Sequence, residues 1–159
     1  MKTELPNGNL AQAQAYVFNL RRDKFKDPLV REALSMMFNF EWSNEQLFYG
    51  LYDRVNSFWG NSNLEASGVP KGKELSILQG LVDKGLLDVN VLTESAVMAP
   101  VSGLRQLDRK NLRKASALLD EAGWLVNDSG MREKNGQAFT LEVLDSSPAF
   151  DRITNPMIE

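Results

Sequence analysis

The sequence predicts an α/β fold of the α+β type, in which helices outweigh a small sheet. Three observations predict it: apolar residues at helical spacing behind Asp27-Pro28, the same spacing behind Asp108, and an Asn135-Gly136 pair followed by an alternating run. An aspartate ahead of a helix accepts its free N–H groups, and proline suits the first helical position. Asn-Gly is a strong two-residue hairpin signal.

The elements follow in chain order. Ala15 to Leu20 (Ala-Tyr-Val-Phe-Asn-Leu) is a β-prone run expected to form a mostly buried strand. Behind Asp27, the residues Leu29, Val30, Ala33, Leu34, Met37 and Phe38 form one helical face. Ser43, with Gln46 three residues on, fits a capping box opening a second helix that Gly50 ends. Leu51 to Lys73 is loop-like yet holds Tyr52, Phe58 and Trp59. Loops longer than about 12–15 residues in a compact domain are commonly functional or disordered, and the aromatics argue against disorder. A helix over Glu74 to Lys84 carries Leu75, Leu78, Leu81 and Val82, with Gly85 as its stop, and Leu86 to Val101 is read as extended. Asp108 opens the clearest helix, with Leu112, Ala115, Leu118, Leu119 and Ala122 on one face and Gly123 past its end. Trp124 to Val126, a turn at Asn127 to Gly130, and Met131 to Lys134 lead to the hairpin turn. Phe139, Leu141 and Val143 then alternate with Thr140, Glu142 and Leu144 as a strand with one buried face.

Composition bounds the function. The 159 residues are 43% hydrophobic and 25% charged, which fits one globular domain spanning residues 1–159 and excludes a disordered chain. With 18 Lys+Arg against 21 Asp+Glu the net charge is −3, so the chain lacks the basic field of nucleic-acid or anionic-membrane binders. No run of residues is long and apolar enough for a spanning helix, so no membrane insertion is expected. Cys and His are both absent, which excludes a Ser-His-Asp triad, a Cys-His pair and a thiolate or imidazole zinc site. Carboxylate pairs, a Ser-Lys dyad, a Schiff-base Lys and an all-oxygen cation site stay open. The absence of cysteine fits the cytosol and an oxidising compartment equally.

The remaining motifs carry little chemistry. Gly68-Val69-Pro70-Lys71-Gly72-Lys73-Glu74 has three residues between its glycines where a phosphate loop needs four, and Glu74 would repel phosphate. Arg105, Arg109, Lys110, Arg113 and Lys114 are read as the solvated face of the Asp108 helix, without aromatics to stack bases. Asp120-Glu121 diverge by about 100° on a helix and do not converge on one atom. Asn127-Asp128-Ser129 matches a glycosylation acceptor that matters only in a eukaryotic secretory pathway.

Tyr52 to Asn63 stands apart, because it places two adjacent aromatics, a guanidinium, amides and hydroxyls on one irregular stretch. Aromatics offer apolar walls, arginine forks a carboxylate, and asparagine pairs with peptide groups in both directions. That mixture suits a short peptide. A purely structural role, in which Phe58 and Trp59 pin the loop to the core, is equally compatible with the spacing.

Asn39-Phe40-Glu41-Trp42, Leu47-Phe48-Tyr49-Gly50, Tyr52, Arg54 and Asn56-Ser57-Phe58-Trp59 resemble a stretch of the bacterial extracellular solute-binding proteins of family five, in particular their YejA-like oligopeptide-binding branch. In the same order follow Gly68-Val69-Pro70, Glu74-Leu75, Asn111-Leu112-Arg113-Lys114-Ala115, Leu118-Leu119, Glu121-Ala122-Gly123-Trp124 and Phe150-Asp151-Arg152-Ile153. Asp27 to Leu34 resembles the broader family's helix after the crossing strand, while Leu86 to Gln106 follows the family least. The resemblance implies part of one lobe of a type II periplasmic-binding-protein-like fold, as a fragment of a longer two-lobed receptor that delivers peptides to an ABC-transporter permease. It implies a periplasmic parent, a short peptide ligand and no enzymatic activity, cofactor or metal. Arg54, Asn56, Ser57, Phe58, Trp59 and Asn61 would then face the interlobe cleft as ligand-binding residues. The alternatives are a cytosolic interaction domain with an exposed aromatic loop and a carboxylate-based hydrolase. Met1 to Gly8 lacks the apolar run of a signal peptide and Phe150 to Glu159 stops amid apolar residues without a polar tail, so the chain reads as a fragment of a longer protein.

Overall fold

The computed structural model describes residues 3, 5, 14–145 and 147–158. Among these lie five α-helices: α1 (Pro28–Met37), α2 (Phe40–Phe48), α3 (Gly72–Val82), α4 (Arg109–Glu121) and α5 (Asp151–Ile158). Three short strands, β1 (Leu125–Val126), β2 (Arg132–Lys134) and β3 (Gln137–Ala138), form an antiparallel sheet in that order. Its register pairs Val126 with Arg132 and Lys134 with Gln137. The fold is thus mixed α/β with helices dominant. The chain divides into two compact units, Met1–Ala15 with Arg54–Ala99 and Tyr16–Asp53 with Pro100–Glu159.

The second unit holds the apolar core. Val30, Ala33 and Met36 of α1 pack with Ala115, Leu119 and Ala122 at α4, and Trp124 closes the cluster. Alanines on both helices let the backbones approach closely, so Val30 is fully buried. The Trp124 ring meets Phe139 edge-on, with centroids 4.8 Å apart. Asp27 caps α1 by accepting the Leu29 N–H (2.9 Å), and Asp108 caps α4 by accepting the N–H groups of Lys110 and Asn111, both at 2.9 Å. Asn135 and Gly136 both take positive φ (52° and 75°), the geometry of a tight hairpin turn. Arg132 fastens the sheet to α4. Its Nη1 donates to Asp120 Oδ1 (2.6 Å) and its Nη2 to Ser116 Oγ (2.5 Å).

Several local expectations are corrected. Ala15 to Leu20 forms no strand: it has no ladder partner among the described residues, and Val17 is 89% exposed. The α1 face turns by one position, burying Met36 and leaving Met37 at the surface. Helix α2 begins at Phe40 rather than Ser43, because Asn39 is its cap and accepts the Trp42 N–H (2.8 Å). Ser43 is buried and donates its hydroxyl back to the Asn39 carbonyl (2.8 Å). Tyr49 (φ 57°) and Gly50 (φ 68°) both enter the left-handed region after α2. Beyond Gln137–Ala138 the expected strand over Phe139 to Leu144 lacks a ladder, and Leu144 is 97% exposed.

In the unit containing Arg54–Ala99, α3 starts two residues before the expected Glu74 and buries none of its side chains. Gly85 (φ 67°) follows its end. Leu86 to Val101 contains a 3-10 turn at Val89–Leu92, capped by Asp88, rather than a strand. The Ala96 N–H donates to the Gly68 carbonyl (2.8 Å) and ties the returning chain to the loop ahead of α3.

Candidate functional site

The aromatic loop is a pair of linked turns closed by its own hydroxyls. Ser57 Oγ accepts the N–H groups of Trp59 (3.2 Å) and Ala66 (3.3 Å), while the Ser57 carbonyl accepts the Gly60 N–H (3.2 Å). Ser62 Oγ donates to the Trp59 carbonyl (2.6 Å) and accepts the Leu64 N–H (3.2 Å). Asn61 sits in the left-handed region (φ 61°), and its N–H donates to Glu65 Oε2 (3.0 Å). At the loop's base, Asn56 Oδ1 accepts the Ala99 N–H (2.8 Å) and Asn56 Nδ2 donates to the Arg54 carbonyl (3.4 Å). Gly60 is buried beneath the turns.

This wiring sorts the six expected site residues. Phe58 and Trp59 are raised to the surface, 95% and 53% exposed, so neither ring pins the loop to the core. Asn56 ties the loop's base to Ala99, Ser57 holds the loop's own backbone, and the Asn61 N–H is itself held by the Glu65 carboxylate. Arg54 is half-buried. Chemically, the loop offers two apolar rings on a frame whose hydrogen bonds are already made. Sequence reasoning missed Ser62 and Glu65 as its fasteners; the signal was a polar residue two to four positions from the backbone group it binds.

The stretch preceding the loop, in the other unit, is also ordered. Asn44 Nδ2 donates to the Tyr52 carbonyl (2.6 Å) and Asn44 Oδ1 accepts the Tyr52 N–H (3.0 Å). The Tyr52 ring packs edge-on against Phe48, with centroids 4.9 Å apart. The Arg152 guanidinium lies over the Phe48 ring, its Cζ 5.1 Å from the centroid.

No group of three or more acidic, Cys or His side chains among the described residues is arranged to hold a metal ion. No helix among them is long and apolar enough to cross a membrane. Carboxyl titration is perturbed elsewhere, at Asp108. The backbone N–H groups of Asn111 and then Gly103 hold its carboxyl below the usual 3.8, outweighing the opposing effect of desolvation.

Comparison with known proteins assigns the chain. The family model described as "Bacterial extracellular solute-binding proteins, family 5 Middle" matches residues 2–158. The chain is 42% identical over 158 residues to the protein y4wM of Sinorhizobium fredii, covering 98% of this chain and 23% of that one. It is 38% identical to the probable peptide-binding protein YejA of Agrobacterium fabrum, covering 99% of this chain and 26% of that one. It is 35% identical to the peptidoglycan-binding protein YepA of the same organism, covering 86% of this chain and 22% of that one. The chain thus spans about a quarter of the length of the curated relatives it matches. By the family model and these near-complete alignments, the chain belongs to the bacterial extracellular solute-binding proteins of family 5.

Proposed function

We propose that the chain is the peptide-binding part of one lobe of a periplasmic receptor, which closes around a peptide and presents it to an ABC-transporter permease. The observation that carries this reading is the display of Phe58 and Trp59 on a loop whose polar groups are spent on holding it in place. Exposed rings on a fixed frame give a peptide's side chains apolar walls without the cost of ordering the loop. Capture then follows from tighter binding to the closed state, which shifts the population towards closure. The role is binding rather than catalysis. Arg54 supplies a guanidinium beside the rings in sequence, Asn56 and Ser57 contribute chiefly through the backbone they secure, and Asn61 contributes through the left-handed turn it forms. Relatives named as peptide-binding and peptidoglycan-binding support peptides, including those of cell-wall origin, as the ligand class.

The test is to purify the uninterrupted gene product natively and compare its native and denatured masses. Extra native mass that resolves into peptides supports the reading, and their sequences distinguish protein-derived from wall-derived peptides. Trp59→Ala is expected to weaken binding of those peptides about tenfold or more. Unchanged affinity in that variant would remove the loop from the site.

A further inference from the structure

The structure assigns a docking surface for a membrane: the basic N-terminal half of α4, with Leu104 and Leu107 ahead of it, rests peripherally on a bilayer of anionic phospholipids. The assignment goes beyond the peptide reading and is tested without any peptide.

Charge along the chain is segregated. Residues 105–114 carry five cations and one acid, leaving 13 of the 18 cations and 20 of the 21 acids for the rest of the chain. The acidic total thus conceals a local basic field. Asp108, the single acid, is already engaged, since its oxygens accept the N–H groups of Gly103 (2.8 Å), Lys110 and Asn111 (both 2.9 Å). Arg105, Arg109, Lys110 and Arg113 are exposed and form no ion pair among the described residues, whereas Lys114 lies 3.6 Å from Glu32. Along α4 the charges also run against the helix dipole. Arg109 and Lys110 occupy the first turn and Asp120 and Glu121 the last, the end at which each sign is disfavoured. Cations kept at that end to the detriment of the helix serve something outside it.

The loop ahead of α4 is fastened along its length, yet its leucines face solvent. Glu41 Oε2 accepts the Ser102 N–H (2.8 Å), and Asn111 Nδ2 donates to the Val101 carbonyl (3.0 Å). The buried Asn39 amide donates to the carbonyls of Gly103 and Arg105. On that frame Leu104 and Leu107 are 68% and 64% exposed, one on each side of Arg105 in sequence. Leucines held outward among unpaired cations combine the two forces of interfacial docking. Apolar tips are buried at the boundary of headgroups and acyl chains, and lysine and arginine are drawn to anionic headgroups. A folded acidic protein would need a matching groove for each leucine, whereas a bilayer accepts both without shape complementarity.

The experiment is flotation of the full-length gene product with two kinds of vesicle, phosphatidylcholine alone and phosphatidylcholine with phosphatidylglycerol in equal parts. The wild type should float with the phosphatidylglycerol vesicles at low salt, stay apart from the neutral ones, and dissociate as added salt screens the headgroups. Arg109→Gln, Lys110→Gln and Arg113→Gln combined should weaken binding about a hundredfold, at about fivefold for each cation. That variant should match or exceed the wild type's thermal midpoint, because it relieves charge at the wrong end of the helix dipole, so its loss of binding is not unfolding. Leu104→Ser with Leu107→Ser should weaken binding severalfold and leave its salt dependence in place. A wild type that floats with neither vesicle, or equally with both, overturns the proposal, as does a triple variant that keeps its full affinity. So does a wild type that ignores vesicles but is held on immobilised polyglutamate until salt releases it, which would assign the face to an acidic protein instead.

Discussion

Asn39 is the residue whose loss the structure prices most completely. It is 8% exposed, and every polar atom of its side chain is engaged. Oδ1 caps α2 at Trp42, while Nδ2 donates to the carbonyls of Gly103 (2.9 Å) and Arg105 (2.7 Å). Asn39→Ala removes a helix cap, worth about 1 kcal/mol. It also removes two side-chain hydrogen bonds at about 1 kcal/mol each. Gly103 and Arg105 are exposed, so water can reach their carbonyls and the full penalty of a buried orphan does not apply. The expected loss is therefore about 2–3 kcal/mol, which in urea is a fall of about 1–1.5 M in the midpoint at an unchanged slope near 2 kcal/mol per M. Asn39→Asp sharpens the test, because it keeps the capping oxygen but turns an acceptor towards two carbonyls. Two facing carbonyls oppose ionisation of the new carboxyl and one capping N–H favours it, so its folded pKa is expected above the unfolded one. Stability should then fall as the pH rises through that interval and recover on acidification, when the protonated group again donates. Urea titrations of both variants, followed by far-UV circular dichroism at several pH values, read these numbers. A loss below about 0.5 kcal/mol for alanine, or a pH-independent aspartate variant, would refute the reasoning.

Two further outcomes are expected. The Asp108 carboxyl, lowered chiefly by the Asn111 and Gly103 N–H groups, stabilises α4 fully above its unfolded value of 3.8 and loses that contribution as the pH falls through the lower folded value. Asp108→Asn, which retains a capping oxygen, should show a shallower acid-induced loss of helix signal over the same interval. Gly136 takes φ 75° with open space around its Cβ position, so Gly136→Ala should cost about 1 kcal/mol through backbone strain alone and lower the thermal midpoint by a few degrees.

What could be read in advance depended on how local each determinant is. Helix α4 was legible because its cap, its apolar face and the Gly123 turn lie within one short stretch. The hairpin at Asn135-Gly136 was legible because two adjacent residues dictate its geometry. Asn39 was not, since two of its partners are 64 and 66 residues away and nothing nearby marks it as their donor. Ala15 to Leu20 failed as a strand for the complementary reason: β-propensity acts only where a partner strand exists. Instead the Tyr16 hydroxyl bonds that of the buried Thr154 (2.8 Å), 138 residues away. The candidate loop was legible as an aromatic display, but not in the division of labour within it. The Asn56 tie to Ala99 spans 43 residues, and only the fold shows that this amide is already engaged.

The hydroxyl-fastened loop also bears on the kinetics of recognition. On the proposed binding role, a ligand stacking on Phe58 and Trp59 would meet a backbone that is already ordered, so only the two rings would lose freedom, at about 0.5–1.5 kcal/mol for each side chain immobilised. Encounter would then need no preceding loop rearrangement, and association is expected in the ordinary range of about 10⁵–10⁷ M⁻¹s⁻¹. Differences among ligands are therefore carried by how long each stays. If the chain serves the proposed receptor, residence time is the quantity that sequence changes at these two rings would tune.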